Sequence, residues 1–326
     1  MILGLVVPDG QYLVTPGIDT RLLTQSKDAK IAQRDLLASQ VLKALASDRR
    51  RAVAHWRVLI LLRRLATQAV VPQPTPSVDR ATSVIRRLVE RGDLERVREL
   101  KKVYVVASPY AVAIPLSDEQ IIQEANPQCF FSHLTALAHH GVTDIIPNRI
   151  YASTAIPKSH RLPLGTSADD WFELLLPVGQ LPLDLRGLPI VWNRPVDEQG
   201  VVVAYSQGAS IYVTDLEKTL LDVIKDPSRA HGITTVLRAW RQASEFWDLD
   251  HLLGYVDPGS PVMRQRVGYL VERLGQSHRT LDEWKQRLQR GGSLRLVASE
   301  PYSRVFSEDW NLSLNVPASV LAVLDD

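Results

Sequence analysis

One cysteine, Cys129, stands in 326 residues. No disulfide and no cysteine-built metal cluster can therefore form within a single chain, which fits a reducing compartment. No apolar run approaches the ~20 residues that a membrane helix needs. The opening MILGLVV is apolar, but it lacks a basic flank and Pro8-Asp9-Gly10 cuts it short, so it does not read as a signal peptide. The sequence also lacks a Gly-rich phosphate loop, a His-Glu-x-x-His pair and a Gly-x-Ser-x-Gly elbow. Repeats and low-complexity tracts are absent too. What these absences leave is a soluble cytoplasmic protein, long enough for two or three domains with proper cores.

The net charge is only +2, and that balance is local rather than uniform. Residues 49–102 carry 14 Lys/Arg against 5 Asp/Glu, and the rest carries 24 against 31. A basic module thus sits on an acidic body. A concentrated positive field attracts phosphate backbones, because neutralising them releases condensed counterions. The alternative is a solvated arginine-rich surface, and the order of elements decides between the two.

Residues 52–68 read as a helix, with Val53, Trp56, Ile60 and Leu61 at helical spacing. A break follows at Pro72, Pro74 and Pro76, which cannot donate to a helical ladder. Ser77 is positioned to cap a second helix over 78–91, with Val84, Ile85, Leu88 and Val89 on one side, and Gly92 stands where a helix stop favours positive φ. Residues 94–98 and 103–106 then read as a hairpin with cationic sides and tip. Helix, break, helix, glycine and basic hairpin is the order of a winged helix-turn-helix. The expected DNA contacts are Arg80, Thr82, Ser83, Arg86 and Arg87 on the reading helix, with Arg96, Arg98, Lys101 and Lys102 on the wing. Arginine pairs bidentately with guanine, so Arg80, Arg86 and Arg87 are the candidates for base contacts. The middle helix of the motif is poorly marked.

Residues 1–48 are expected to form a separate N-terminal piece: a hairpin from 3–7 and 12–14, then a helix over 30–46. Such a helix either dimerises the protein on DNA or covers a core, and the sequence leaves both open. The winged helix occupies 49–107 and a body 108–326. In the body, strand-like runs at 149–153, 171–176, 190–192, 201–205 and 210–213 precede helices at 215–225, 233–246, 261–274 and 281–289, with a strand at 294–298. The fold class is α+β, a winged helix-turn-helix followed by a mixed sheet-and-helix body. Thr214-Asp215-Leu216-Glu217 has the form of a capping box, and Ser260-Pro261 that of an N-cap before a first-turn proline.

Two body segments resemble the AbiEi family of antitoxins from type IV toxin–antitoxin systems. The first is Phe131-Ser132-His133-Leu134-Thr135-Ala136-Leu137-Ala138-His139-His140-Gly141, running on through Ile146-Pro147-Asn148-Arg149-Ile150-Tyr151. The second is Thr214-Asp215-Leu216-Glu217-Lys218-Thr219-Leu220-Leu221-Asp222, and Gly268-Tyr269-Leu270-Val271-Glu272-Arg273-Leu274-Gly275 adds a weaker third. The resemblance covers most of residues 110–275 and implies an antitoxin that also binds operator DNA and represses its own operon. It further implies a functional partner, a nucleotidyltransferase-like toxin called AbiEii, with direct contact left open. The residues it marks are Ser132, His133, Gly141, Thr214, Asp215, Glu217, Lys218 and Asp222.

The same residues also have structural readings. Ser132 can cap, Gly141 can stop a helix, and Thr214 and Glu217 can form the capping box. Asp215 favours the positive end of the helix dipole, and Asp222 pairs with Lys218. No catalytic residue, metal or cofactor is expected. Two rivals stand beside the antitoxin. One is a winged-helix transcription factor with a ligand-sensing body. The other is a nuclease, for which Asp215-Leu216-Glu217-Lys218 has the wrong spacing and Glu283-Trp284-Lys285 lies in a predicted helix. His133, His139, His140 and His160 match no standard zinc spacing.

Overall fold

The computed structural model describes residues 20–69, 75–108, 113–155, 161–256, 260–288 and 294–325. The expected hairpin at 3–14, Pro72, Pro74 and His160 lie outside them. The chain is a mixed α+β protein.

The N-terminal region runs α1 (Thr20–Ser47), β1 (Ala52–Ala54), α2 (His55–Thr67), α3 (Val78–Glu90), β2 (Leu94–Arg96) and β3 (Val103–Val106). The strands form a sheet in the order β1-β3-β2, both pairs antiparallel. Residues 52–68 are therefore not one helix. Ala52–Ala54 is wholly buried and pairs with β3 before the helix begins, and so short an apolar run has no periodicity to tell strand from helix. α3 forms as its sequence dictates. The Ser77 side chain accepts from the Arg80 amide at 3.2 Å, and Gly92 at φ +75° turns the chain out of the helix.

α1 belongs to the same core. Its Ala38, Val41, Leu42 and Leu45 pack with Val58, Leu62, Val84, Ile85 and Leu88 of α2 and α3. Residues 1–48 are thus not a separate piece where they are described: α1 is the first of three helices, and the helix read from the sequence as the first is the second.

The body holds α4 (Asp118–Ala125), β4 (Phe130–Phe131), α5 (His133–His139), β5 (Ile150–Ser153), β6 (Asp184–Leu185), β7 (Leu188–Asn193), β8 (Val201–Ser206) and β9 (Ala209–Thr214). Helices α6 (Leu216–Lys225), α7 (Ile233–Ala243), α8 (Leu249–Gly254), α9 (Pro261–Arg273) and α10 (Arg279–Gln286) follow. The chain closes with β10 (Leu294–Arg295), β11 (Phe306–Ser307), β12 (Leu312–Ser313) and α11 (Ala318–Leu321). Six strands form one mixed sheet in the order β6-β7-β5-β4-β9-β8, with β4–β9 and β5–β7 parallel. Residues 171–176, read as a strand, instead follow a 3₁₀ turn at Ala168–Trp171 whose capping box closes between Ser167 and Asp170. The early Asp-Asp-Trp commits this stretch to a turn.

Alternation along β5 sends Ile150 and Ala152 to one face of the sheet and Tyr151 to the other. Tyr151 meets the helical core of α5–α9 around Trp240 and Trp310. Gly268 is a glycine because the Trp310 ring fills its place: a Cβ there would lie 2.1 Å from the indole. The Ile150 face is shared with α4 and with Ala52, Ala54, Val97, Leu100 and Val103 of the N-terminal sheet. One apolar core thus crosses residue 108, and Ser108 is itself buried.

Beside that core lies Glu124 of α4, with its side chain 3% exposed. It accepts from Arg57 Nε at 2.7 Å, Arg50 Nη1 at 3.3 Å and the Ala54 amide at 3.0 Å. Leu164 O accepts from both guanidinium groups, and the Trp56 indole donates to Glu124 O. Removing one partner of a buried ion pair leaves an uncompensated charge and costs about 3–5 kcal/mol. Glu124→Ala is accordingly expected to lower stability by about that amount, read from urea midpoints. Because the core is shared, the native chain should unfold in one transition; two separate transitions from tryptophan fluorescence and circular dichroism would contradict the joint described.

Candidate functional site

The basic segment divides into two populations. Seven of its cations are held by the protein. Arg50 and Arg57 serve Glu124. Arg51 donates to Val106 O and Ile114 O, and Arg63 to Phe172 O. Arg64 makes a bidentate pair with Asp170 at 2.8 and 2.6 Å, which holds the Asp170 carboxyl down at about 2. Arg91 pairs with Asp93 at 2.9 Å.

The seventh is Arg87, expected to read bases. Its guanidinium grips Asp35 of α1 at 2.6 and 3.1 Å. In this structure its Nε and Nη2 are engaged by Asp35, so it ties α3 to α1 rather than standing open to solvent as Arg86 does.

The other seven, Arg49, Arg80, Arg86, Arg96, Arg98, Lys101 and Lys102, have no ionic or side-chain hydrogen-bond partner among the described residues. Arg86 is exposed on α3 and shares a helix face with the exposed Thr82 four residues earlier. The Thr82 hydroxyl is engaged locally, donating to Val78 O and lying 2.9 Å from His55 Nε2. Ser83 and Arg80 are half-buried, and Arg80 lines a groove between α1, α2 and α3. Arg96, Arg98, Lys101 and Lys102 are all exposed on the hairpin, while its Val97 and Leu100 point into the shared core. The hairpin tip is braced by the body. Gln180 exchanges two hydrogen bonds with the Lys101 backbone at 2.8 and 2.7 Å, and Glu99 accepts from the Arg186 amide.

In the body, the two motif segments meet. Ser132 does not cap α5; its hydroxyl lies 2.8 Å from Ser153 Oγ and 2.9 Å from His133 Nδ1. His133 sits at φ +51°, a left-handed backbone that costs a non-glycine residue about 1 kcal/mol or more. The capping box at 214–217 is also redrawn. Asp215, not Thr214, caps α6 by accepting from the Lys218 amide at 2.8 Å. The Thr214 hydroxyl turns to Thr219, and Glu217 accepts from the Asp248 amide. Asp222 pairs with Lys218, and Gly141 ends α5 at φ +70°. His133, Thr214, Lys218 and Asp222 line a cleft of about 400 Å³ that sequence reasoning did not find. Its wall also includes Trp192, Asn193 and Arg229, distant in the chain and carrying no motif, with Arg194, Asp197, Lys225 and Asp226 beside them.

The histidines take separate roles. His140 Nε2 lies 2.7 Å from Thr214 O, and His139 lines a different cleft. Asp215, Glu217 and His251 come close together, but Asp215 is already a cap and accepts from the Tyr255 hydroxyl at 2.5 Å, and Glu217 is bonded as above.

No protein-family model and no curated protein matches the sequence. Among solved structures, the chain is similar to the crystal structure of the RV2827C protein from Mycobacterium tuberculosis. Identity is 17%, the TM-score 0.51, and the match covers 89% of this chain and 95% of that one. The likeness is one of fold. No helix among the described residues is long and apolar enough to cross a membrane.

His133 supplies a pH test of the cleft. Burial first, and the nearby Arg229 next, push its imidazole down to about 3; Asp226 opposes, and Lys218 and Lys225 add to the lowering. Below pH ~6.5 the unfolded chain takes up a proton that the folded chain refuses, so stability falls as pH drops from ~6.5 towards 3. His133→Asn, which tolerates a left-handed backbone, should reduce the slope of stability against pH between about 6 and 4 by up to ~1.4 kcal/mol per unit. Urea titrations across that range measure it, and an unchanged slope would place His133 in solvent.

Proposed function

We propose that this chain is a DNA-binding regulator built on a winged helix-turn-helix, and that it represses its own operon as an antitoxin of the AbiEi type. The observation carrying the first half is the element order: three helices with a strand after the first, then a hairpin whose second strand lies between the other two. That order supports a winged-helix reading, in which α3 is the reading helix and the β2–β3 hairpin the wing. The cations without partners among the described residues support it, because Arg86 stands on α3 and Arg96, Arg98, Lys101 and Lys102 stand on the hairpin. In this reading Arg86 contacts a base, Arg80 and Thr82 flank it, and the wing residues hold phosphate.

The antitoxin half rests on the motif resemblance at 131–151 and 214–222. In this reading the functional partner is a nucleotidyltransferase-like toxin of the AbiEii type, and the protein works in the cytoplasm without catalysis of its own. The motif-lined cleft favours a second reading, a winged-helix regulator whose body senses a ligand. Growth assays with the neighbouring gene co-expressed decide between the two.

Operator binding tests the first half. With roughly six phosphate contacts, affinity for the duplex upstream of the gene should fall about a thousandfold between 50 and 200 mM salt. Arg86→Ala should lose about 1–3 kcal/mol of operator preference. Lys101→Ala with Lys102→Ala should weaken all DNA alike and flatten the salt slope by about two. Arg87→Ala should instead lower stability through loss of the Asp35 pair. Fluorescence anisotropy on operator and scrambled duplexes measures each, and a salt-independent affinity would sink the assignment.

A further inference from the structure

We propose that the cleft where the two motif segments meet binds the phosphate group of a small phosphorylated ligand of mononucleotide size. The first argument is donors without acceptors. Arg229 gives its Nε to Asp226 at 2.7 Å, but its Nη1 is buried and has no partner among the described residues. His133 lines the cleft with Nδ1 already engaged by Ser132 and Asn193, and no described residue bonds its Nε2.

The neighbours support a relay that leaves Nε2 a donor. Ser132 Oγ lies 2.8 Å from Ser153 Oγ and 2.9 Å from His133 Nδ1, with the Asn193 amide nitrogen 3.4 Å from both. In that relay Ser153 donates to Ser132 and Ser132 to Nδ1. Nδ1 is then an acceptor, and Nε2 carries the proton as a neutral donor. Burial keeps this imidazole uncharged, so the donor persists across the physiological range.

Charge is the second argument. Two of the cleft's carboxylates are occupied, Asp222 by Lys218 and Asp226 by Arg229 and Ser228, and the third, Asp197, accepts from the Gln199 amide. Lys225 and Arg194 keep their charges free of protein partners among the described residues. The orphan donors and the spare cations thus face a space of about 400 Å³, with Trp192 as a flat apolar wall. A phosphate accepts charge-assisted hydrogen bonds from arginine and lysine, and a nucleoside fits the remaining volume and the indole wall.

Calorimetric titration of the full chain with AMP, inorganic phosphate and adenosine tests this. AMP should bind one to one, phosphate should compete with it, and adenosine should bind at least about tenfold more weakly than AMP, the loss of one or two charge-assisted hydrogen bonds. Arg229→Gln and the surface variant Lys225→Gln should each weaken AMP by about fivefold or more, with circular dichroism confirming that both fold. No saturable AMP or phosphate binding up to ~10 mM would overturn the proposal. So would equal affinity for adenosine, or AMP binding unchanged in both variants.

Discussion

The carboxylate of Glu124 is the point on which the arrangement of this protein turns. It lies buried on α4 of the body, yet its partners, Arg50, Arg57 and the Ala54 amide, all belong to the basic N-terminal region. A carboxylate taken out of water is tolerated only if its lone pairs are filled, and here the filling comes from the other half of the chain. The reverse holds as well: among the described residues this carboxylate and the Leu164 carbonyl accept the hydrogen bonds of the half-buried Arg50 and buried Arg57. Burial and the neighbouring Arg57 lower the Arg50 pKa. Neither half can keep these groups buried without the other, and the apolar contact of Ala54, Val97 and Val103 with Ile121 and Phe131 joins them alongside.

That dependence changes how the arginine-rich segment is read. Composition shows an excess of cations over residues 49–102 but not what each one faces. Half of them turn inward, to Glu124, Asp170, Asp35, Asp93 and backbone carbonyls. Arg87 and Arg86 make the point as neighbours. Both were equal candidates for a base, and a rotation of one position about α3 sends Arg87 to Asp35 and leaves Arg86 in solvent. A helix rotates 100° per residue, so which of two adjacent arginines is free depends on the packing of α1, and that is not written in α3.

Legibility in the sequence followed locality. The Ser77 cap, the Gly92 stop, the strands β8 and β9, α6 and the Ser260-Pro261 helix start all depend on residues within a few positions, and the structure has them. The features that were missed depend on distant partners. β1 is a strand only because β3 pairs with it, and α1, which the sequence left open between dimerising and covering a core, joins the core because α2 and α3 supply the facing side chains. Thr214 and Glu217 have the spacing of a capping box but bond Thr219 and Asp248 instead. Asn193 and Arg229, which complete the cleft, belong to no pattern. The pairing of His133 with the α6 segment was legible only as two separate motifs.

α4 also joins the two regions along the chain. Adjacent residues on it face different duties: Glu124 holds the N-terminal arginines, while Gln123 accepts from the Tyr212 amide of β9 at 2.8 Å. Two residues beyond Tyr212, Thr214 lines the cleft. The route from the cleft to α2 therefore runs through one strand and one helix, both largely buried. Such a route fixes the orientation of α3 relative to the body. The β2–β3 hairpin is also held by the body, through Gln180 and Arg186, so α3 and the hairpin are presented together on one frame. A frame of this kind sets the spacing of any two copies by the geometry of the body, and the polar bonds that hold it are the ones a change in the cleft would have to move.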